Sequence, residues 1–190
     1  LVLSSAAEYP SLHYYAWVDA RGHVVASSNP ATIGLDFGER PYFRQIVAGR
    51  EWVVSDSFLE PLAGKPAFAI ASGVRDAAGT LRGVLIAAID PQRLGEVLTI
   101  ERSDQGAIAI IDGDGKVVYS HPEVTLTPEQ GNQALTVPIT TRALGGDEVA
   151  GITASLAGGQ ALMAALVPIH AVGWVALAGR PEAEAMAPVR

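Results

Sequence analysis

The stretch GERPYFRQIVAGR, residues 38–50, gathers the side chains best suited to holding a small anion. Arg40 offers a planar fork of N–H donors that matches a carboxylate. Tyr42 and Phe43 follow it directly beyond Pro41. Catalytic chemistry finds no comparable concentration. The chain has no cysteine, which removes thiolate nucleophiles, thiolate metal sites and disulfides. His13, His23, His121 and His170 are scattered, without the His-x-x-x-His spacing of a zinc site. No serine sits in a Gly-x-Ser-x-Gly elbow. GGDE at 145–148 matches the letters of a cyclase loop without a nucleotide-binding domain around it. DFG at 36–38 has no glycine loop or His-Arg-Asp loop to accompany it. DGDGK at 112–116 lacks the later acids of a calcium loop and reads as a hairpin turn. The expectation is a non-catalytic domain with no metal and no cofactor.

Composition narrows the partners. The chain has 190 residues, 49% of them hydrophobic and 17% charged, enough to bury a real core in one or two domains. Its net charge of −7 argues against nucleic acid, whose phosphates attract basic surfaces. One segment, ALMAALVPIHAVGWVALAG at 161–179, approaches the roughly 20 apolar residues of a membrane span. Pro168, His170 and Gly173 interrupt its centre, so it reads as a hairpin of strands 161–169 and 172–179. No signal-peptide pattern is visible, and the start at Leu1 reads as a cut within a longer chain.

The elements that must position Arg40 come from a repeat. WVDARGHVVAS at 17–27 matches IIDGDGKVVYS at 110–120, with Asp19 against Asp112 and Gly22 against Gly115, a shift of 93 (112 − 19). Each copy reads as strand, Asp-x-x-Gly turn, strand. A long apolar hairpin closes each half: 65–76 with 81–90, then 160–169 with 173–179. About five antiparallel strands per half, flanked by helices, give an α+β architecture of two tandem modules. The polar run IERSDQG, 100–106, separates them, so the domains are drawn at 1–100 and 101–190. Helices are expected at 40–49, 91–98 and 181–190, the first opened by Pro41 and closed by Gly49.

On a helix turning about 100° per residue, with Arg40 at 0°, Tyr42, Phe43, Ile46 and Val47 span about 200° to 340°. They form the expected buried arc, with Arg40 at its rim beside a helix N-terminus, where an anion is favoured. A plain surface ion pair of Arg40 with Glu39 or Asp36 is the competing reading. For Tyr42 and Phe43, core packing and ligand contact stand equal.

The order and spacing of three stretches resemble the double-Cache domain, a sensor module of bacterial receptors. They are VDARGHVVASSNPATIGLDFGERPYFRQ (18–45), VVSDSFLEPLAGKPAFAIASGVRDAAGTLRGVLIAAIDPQRL (53–94) and IIDGDGKVVYSHPE (110–123). The resemblance implies two PAS-like subdomains, membrane-distal at 1–100 and membrane-proximal at 101–190, with the ligand in the distal one. It also implies a long helix before this sequence and a transmembrane helix after EAMAPVR. Placement is then periplasmic or extracellular, on a bacterial inner-membrane receptor that works as a homodimer. A sensor histidine kinase of a two-component system is the favoured output, ahead of a diguanylate cyclase or chemoreceptor.

In amino-acid-binding members the motif runs aromatic, Arg, Trp, Tyr, strand Tyr, late Asp. Carried over, Arg40 and Asp90 match it; Tyr42 and Phe43 stand for its Trp and Tyr, Phe58 for the strand Tyr and Leu35 for the first aromatic. Asp90 reads either as an ammonium partner or as an N-cap before Pro91. Ser72, on the apolar strand 66–74, reads as a pocket hydroxyl or a buried structural serine. The site residues are therefore Arg40, Tyr42, Phe43, Phe58, Ser72 and Asp90, and the ligand expected is a small carboxylate-bearing metabolite. A docking module without a small ligand, and a sensor of amines or amino acids, remain as alternatives.

Overall fold

The computed structural model describes residues 11–62, 64–97, 106–124, 137–154 and 161–186. The polar run at 100–106, apart from Gly106, and the tail 187–190 of the last expected helix lie outside them. The chain divides into two compact units, 1–96 and 97–190.

In the N-terminal unit, β1 (Leu12–Asp19) and β2 (Val24–Ser27) form the first hairpin. The hairpin of β5 (Pro66–Arg75) and β6 (Leu81–Ile89) closes the unit, and β3 (Trp52–Val54) adds the last strand. The sheet order is β2-β1-β6-β5-β3, and a two-residue strand, β4 (Phe58–Leu59), pairs with the start of β5. The C-terminal unit repeats the plan with β7 (Ala107–Ile111), β8 (Val117–His121), β9 (Val149–Ala154), β10 (Ala161–Ile169) and β11 (Trp174–Pro181). Its order is β8-β7-β11-β10-β9. All these pairings are antiparallel. The apolar segment 161–179 is thus a hairpin, turning at 170–173, and no helix among the described residues is long and apolar enough to cross a membrane.

One local device builds three of the hairpins. Asp19, Asp76 and Asp112 each begin an Asp-x-x-Gly turn. In each the carbonyl of the Asp accepts the glycine N–H and the carboxylate accepts the N–H four residues on. The glycine holds φ between 78° and 102°, a region that costs a residue with a Cβ. The repeat extends to irregularities: the register slips between Trp17 and Val18 and again between Ile110 and Ile111, 93 residues later.

Helix α1 (Pro41–Val47) lies on β5, where a Cβ on Gly73 would come within 2.8 Å of Ile46 Cγ2. Arg75 fastens its far end, donating from Nη2 to the Ile46 carbonyl (2.8 Å) and from Nη1 to Gly79 O (3.2 Å). The helix buries Tyr42, Phe43 and Ile46 but not Val47, which is 52% exposed. The expected arc was too wide: at about 340° Val47 falls nearly in line with Arg40, on the rim. The 91–98 helix is a 3-10 turn, Pro91–Arg93, followed by α2 (Leu94–Val97). Helix α3 (Pro138–Leu144) was not expected, although it opens on a proline as α1 does and is followed by Gly146 as α1 is by Gly49. The last helix, α4, covers Glu182–Ala185.

Candidate functional site

The turn glycine of the first hairpin does more than turn the chain. A Cβ on Gly22 would stand 2.4 Å from Gly38 Cα, so two glycines are needed where the loop after β2 presses on the hairpin. Phe37 N–H donates to Gly22 O (2.7 Å), and Asp36 Oδ1 takes the Gly38 N–H (2.7 Å). Upstream, Asn29 caps the 3-10 turn Pro30–Thr32. These bonds fix the backbone that delivers Phe37 into the core, at 2% exposure, and Arg40 to the start of α1.

Arg40 is half-buried, with Cζ 5.7 Å from the Phe37 ring centroid and 5.5 Å from that of Phe58. Two aromatic faces hold the cation through their quadrupoles. Its side chain makes no ion pair and no hydrogen bond to protein among the described residues. The competing surface pairs are taken otherwise: Glu39 pairs with Arg44, and Asp36 is engaged by Gly38. Because α1 has only seven residues, the attraction for an anion rests on the guanidinium rather than on the helix end.

Phe58 also meets Tyr42, ring centroids 6.2 Å apart, and Tyr14 arrives from β1 with 2% exposure. Burial is the main cause that pushes the Tyr14 phenol up to about 12; the Glu60 carboxylate adds to the rise and the Arg40 charge opposes it. Burial likewise raises Tyr42, with the Tyr14 phenol adding and Arg40 opposing. Arg40, Tyr14, Tyr42, Phe58 and Glu60 therefore share one electrostatic neighbourhood, with Phe37 beneath the guanidinium.

Of the six residues expected from the sequence, Arg40, Tyr42 and Phe58 come together. Tyr42 and Phe43 are both 3% exposed and both belong to the core cluster, but only Tyr42 meets the Phe58 ring. Asp90 caps the following 3-10 turn, its Oδ1 accepting the Gln92 N–H at 3.0 Å, while keeping the strand parity of Val84, Ile86 and Ala88. Ser72 is a correction on both of its readings: it is exposed. Ala69, Ala71 and Gly73 of β5 face α1, so Ser72 points away, between Trp52 and Leu85 across the sheet. Sequence reasoning missed Tyr14, Phe37 and Glu60. An alternation signal existed for Tyr14, since Tyr14, Ala16 and Val18 are the buried parity of β1. None of the described residues forms a His, Asp or Glu cluster able to hold a metal ion.

A family model described as a Cache domain matches residues 2–189. Sporulation kinase D of Bacillus subtilis (strain 168) is 25% identical over 114 residues, 60% of this chain but only 22% of that protein's length. The extracellular domain of rpHK1S-Z16, described as a histidine kinase, superposes with a TM-score of 0.75 at 19% identity, over 98% of this chain and 78% of that one. The ligand-binding domain of the Pseudomonas aeruginosa PAO1 amino acid chemoreceptor PctB, in complex with L-Gln, gives 0.69 at 16% identity, over 100% and 76%. The Vibrio cholerae histidine kinase DctB sensor domain gives 0.60 at 21%, over 95% and 76%. What these structures share with the chain is the fold, two PAS-like units in tandem.

Proposed function

The chain belongs to the Cache domain family, and from that premise we propose that it senses a small carboxylate-bearing metabolite for a membrane receptor. In this reading it lies outside the cytoplasm, residues 1–100 form the membrane-distal subdomain and 101–190 the proximal one. The receptor is a homodimer whose output is a histidine kinase. The domain itself carries no chemistry; it converts occupancy into a change of packing, which a ligand can drive only through differing affinity for two states.

The observation that carries the reading is Arg40, a half-buried guanidinium held between Phe37 and Phe58 with its N–H donors uncommitted to protein among the described residues. A carboxylate satisfies that fork in two parallel bonds. Phe58 packs on the buried Tyr42 ring beside the guanidinium, and the L-Gln bound by PctB is a ligand of this class. The test is a thermal-shift screen of organic acids, amino acids and amines on the 190-residue chain and on Arg40→Ala. At a hundredfold excess over Kd a ligand stabilises by about 2.7 kcal/mol, on the order of 10 °C for a unit of this size. A saturable shift that vanishes in Arg40→Ala is expected; silence across the acids, or a shift that survives the substitution, defeats the reading.

A further inference from the structure

The strands at the ends of the two sheets differ in how their open sides are guarded. β2 is closed by its own loop: Val24 N–H donates to Leu35 O (2.9 Å), and Val24 O accepts the Gly34 N–H (2.8 Å). β3 has only three residues, with Glu51 before it and Asp56 just beyond. β8 slips in register against β7 and runs into Pro122. Short strands, bulges, charges and prolines all hinder pairing with another chain. β9 has none of them. Its six residues, VAGITA, carry no charge and no proline, and all six pair with β10 without a slip. It ends the order β8-β7-β11-β10-β9, and among the described residues no strand lies on its far side. A strand bonded on one side turns the N–H and C=O of alternate residues away from its neighbour, so β9 presents a row of them outward.

The side chains suit the same purpose. Ile152 is 56% exposed, Ala150 is exposed two residues before it, and Met163 and Val167 are exposed on the neighbouring β10. The 31 residues from Val149 to Gly179 include no Asp, Glu, Lys or Arg. A chain of net charge −7 repels its own copies, and least where it carries no charge.

We propose that β9 pairs antiparallel with β9 of a second copy of this chain, joining two five-stranded sheets edge to edge. The inference takes up the homodimer proposed above and is independent of Arg40. Directly opposed residues of an antiparallel pair point to one face, so the two-fold axis passes through a residue. Centred on Gly151, the pair sets Ala150 against Ile152 of the second copy. The outer face then runs from Met163 to Ile152 and on to Ala150 and Ala165 of the second copy, large against small. Asp147 and Glu148, just before β9, fall at opposite ends of the joint from their counterparts.

The experiment is sedimentation equilibrium of the 190-residue chain from micromolar to millimolar concentration, with amide exchange measured at both ends of that range. The mass is expected to rise towards that of two chains, and amides of β9 to slow as it does, while those of β2 and β3 stay unchanged. Ile152→Lys should raise the dissociation constant about tenfold or more, and Leu85→Lys, on the exposed face of the other sheet, should leave it within about twofold. A single-chain mass throughout refutes the pairing and, for this chain, the homodimer with it. A dimer that Ile152→Lys leaves within about twofold, or whose β9 amides exchange alike at both concentrations, refutes the pairing and keeps the homodimer. An equal loss in Leu85→Lys refutes it too, because the contact then lies on the sheet faces. Should Ile152→Lys fail to fold by circular dichroism, Ala150→Lys is judged by the same criterion.

Discussion

Pro41 and Pro138 open equivalent helices, and Gly49 and Gly146 turn the chain beyond them with φ of 110° and 104°; both pairs are 97 residues apart (138 − 41). At that spacing Arg40 corresponds to Val137, Tyr42 to Ile139, Phe43 to Thr140 and Ile46 to Ala143. On the first strand, at the repeat spacing of 93, Tyr14 corresponds to Ala107. The first unit packs Tyr14, Phe37, Tyr42 and Phe43 in its core cluster, while that of the second is built from Ala, Ile, Leu and Val. Backbone and turn chemistry are shared; the aromatics of the core cluster and the arginine at the helix start are not. In the proposed reading the scaffold does not by itself make a binding site, and the difference between the units isolates what does.

The sharpest way to break that comparison is to exchange its charge. Arg40→Val, which gives the first helix the residue of the second, is expected to abolish carboxylate binding, on the order of a hundredfold loss or more for a bidentate charged pair. Adding Val137→Arg should not restore it, because Ala107 and Ile139 stand where Tyr14 and Tyr42 would be needed. Restoration in calorimetry would mean that the arginine alone makes the site. Next in size, Ile46→Ala should cost about 2–5 kcal/mol, since its side chain is fully buried against Gly73. Ala143→Gly at the matching position should cost only about 1 kcal/mol. Hydrogen exchange followed separately in β5–β6 and β10–β11 distinguishes them, and equal losses would show that the two helices are seated alike.

The smallest effect is alkaline. Tyr14 ionises near 10.0 when unfolded and at about 12 in the folded unit, so its neutral form contributes stability in full below pH 10. That contribution is lost as pH climbs through the interval up to about 12. The urea midpoint of the N-terminal unit should fall between these values, and less steeply in Tyr14→Phe. A midpoint indifferent to pH in wild type would place the phenol in water.

The hairpins were legible because their signal is local: Asp19, Asp76 and Asp112 each bind the N–H four residues along, and the glycine that permits the turn is in the same short stretch. Arg40 was legible for a similar reason, standing beside the proline that starts its helix. Tyr14 and Glu60 were not, because the sheet order β2-β1-β6-β5-β3 folds remote segments onto one face. Ser72 misled because β5 and β6 are apolar on both faces: Ile70, Val74 and Leu85 are exposed, so hydrophobicity could not tell inside from outside. Helix α3 left a readable trace, the Pro–Gly spacing of 97 shared with α1, which the shift of 93 in the hairpins concealed.

Arg75 anchors one end of α1. The guanidinium grips the last turn through Ile46 O and at the same time holds the carbonyl of Gly79 at the tip of the β5–β6 hairpin. The seven-residue helix is therefore tied at both ends to hairpin turns: its start through Phe37 and Gly22 to the β1–β2 turn, and its last turn through Arg75 to the tip of β5–β6. Arg40 thus sits on a short rigid bar that spans two turns of one sheet, so a change of packing at the guanidinium is shared between them rather than absorbed by a loose end.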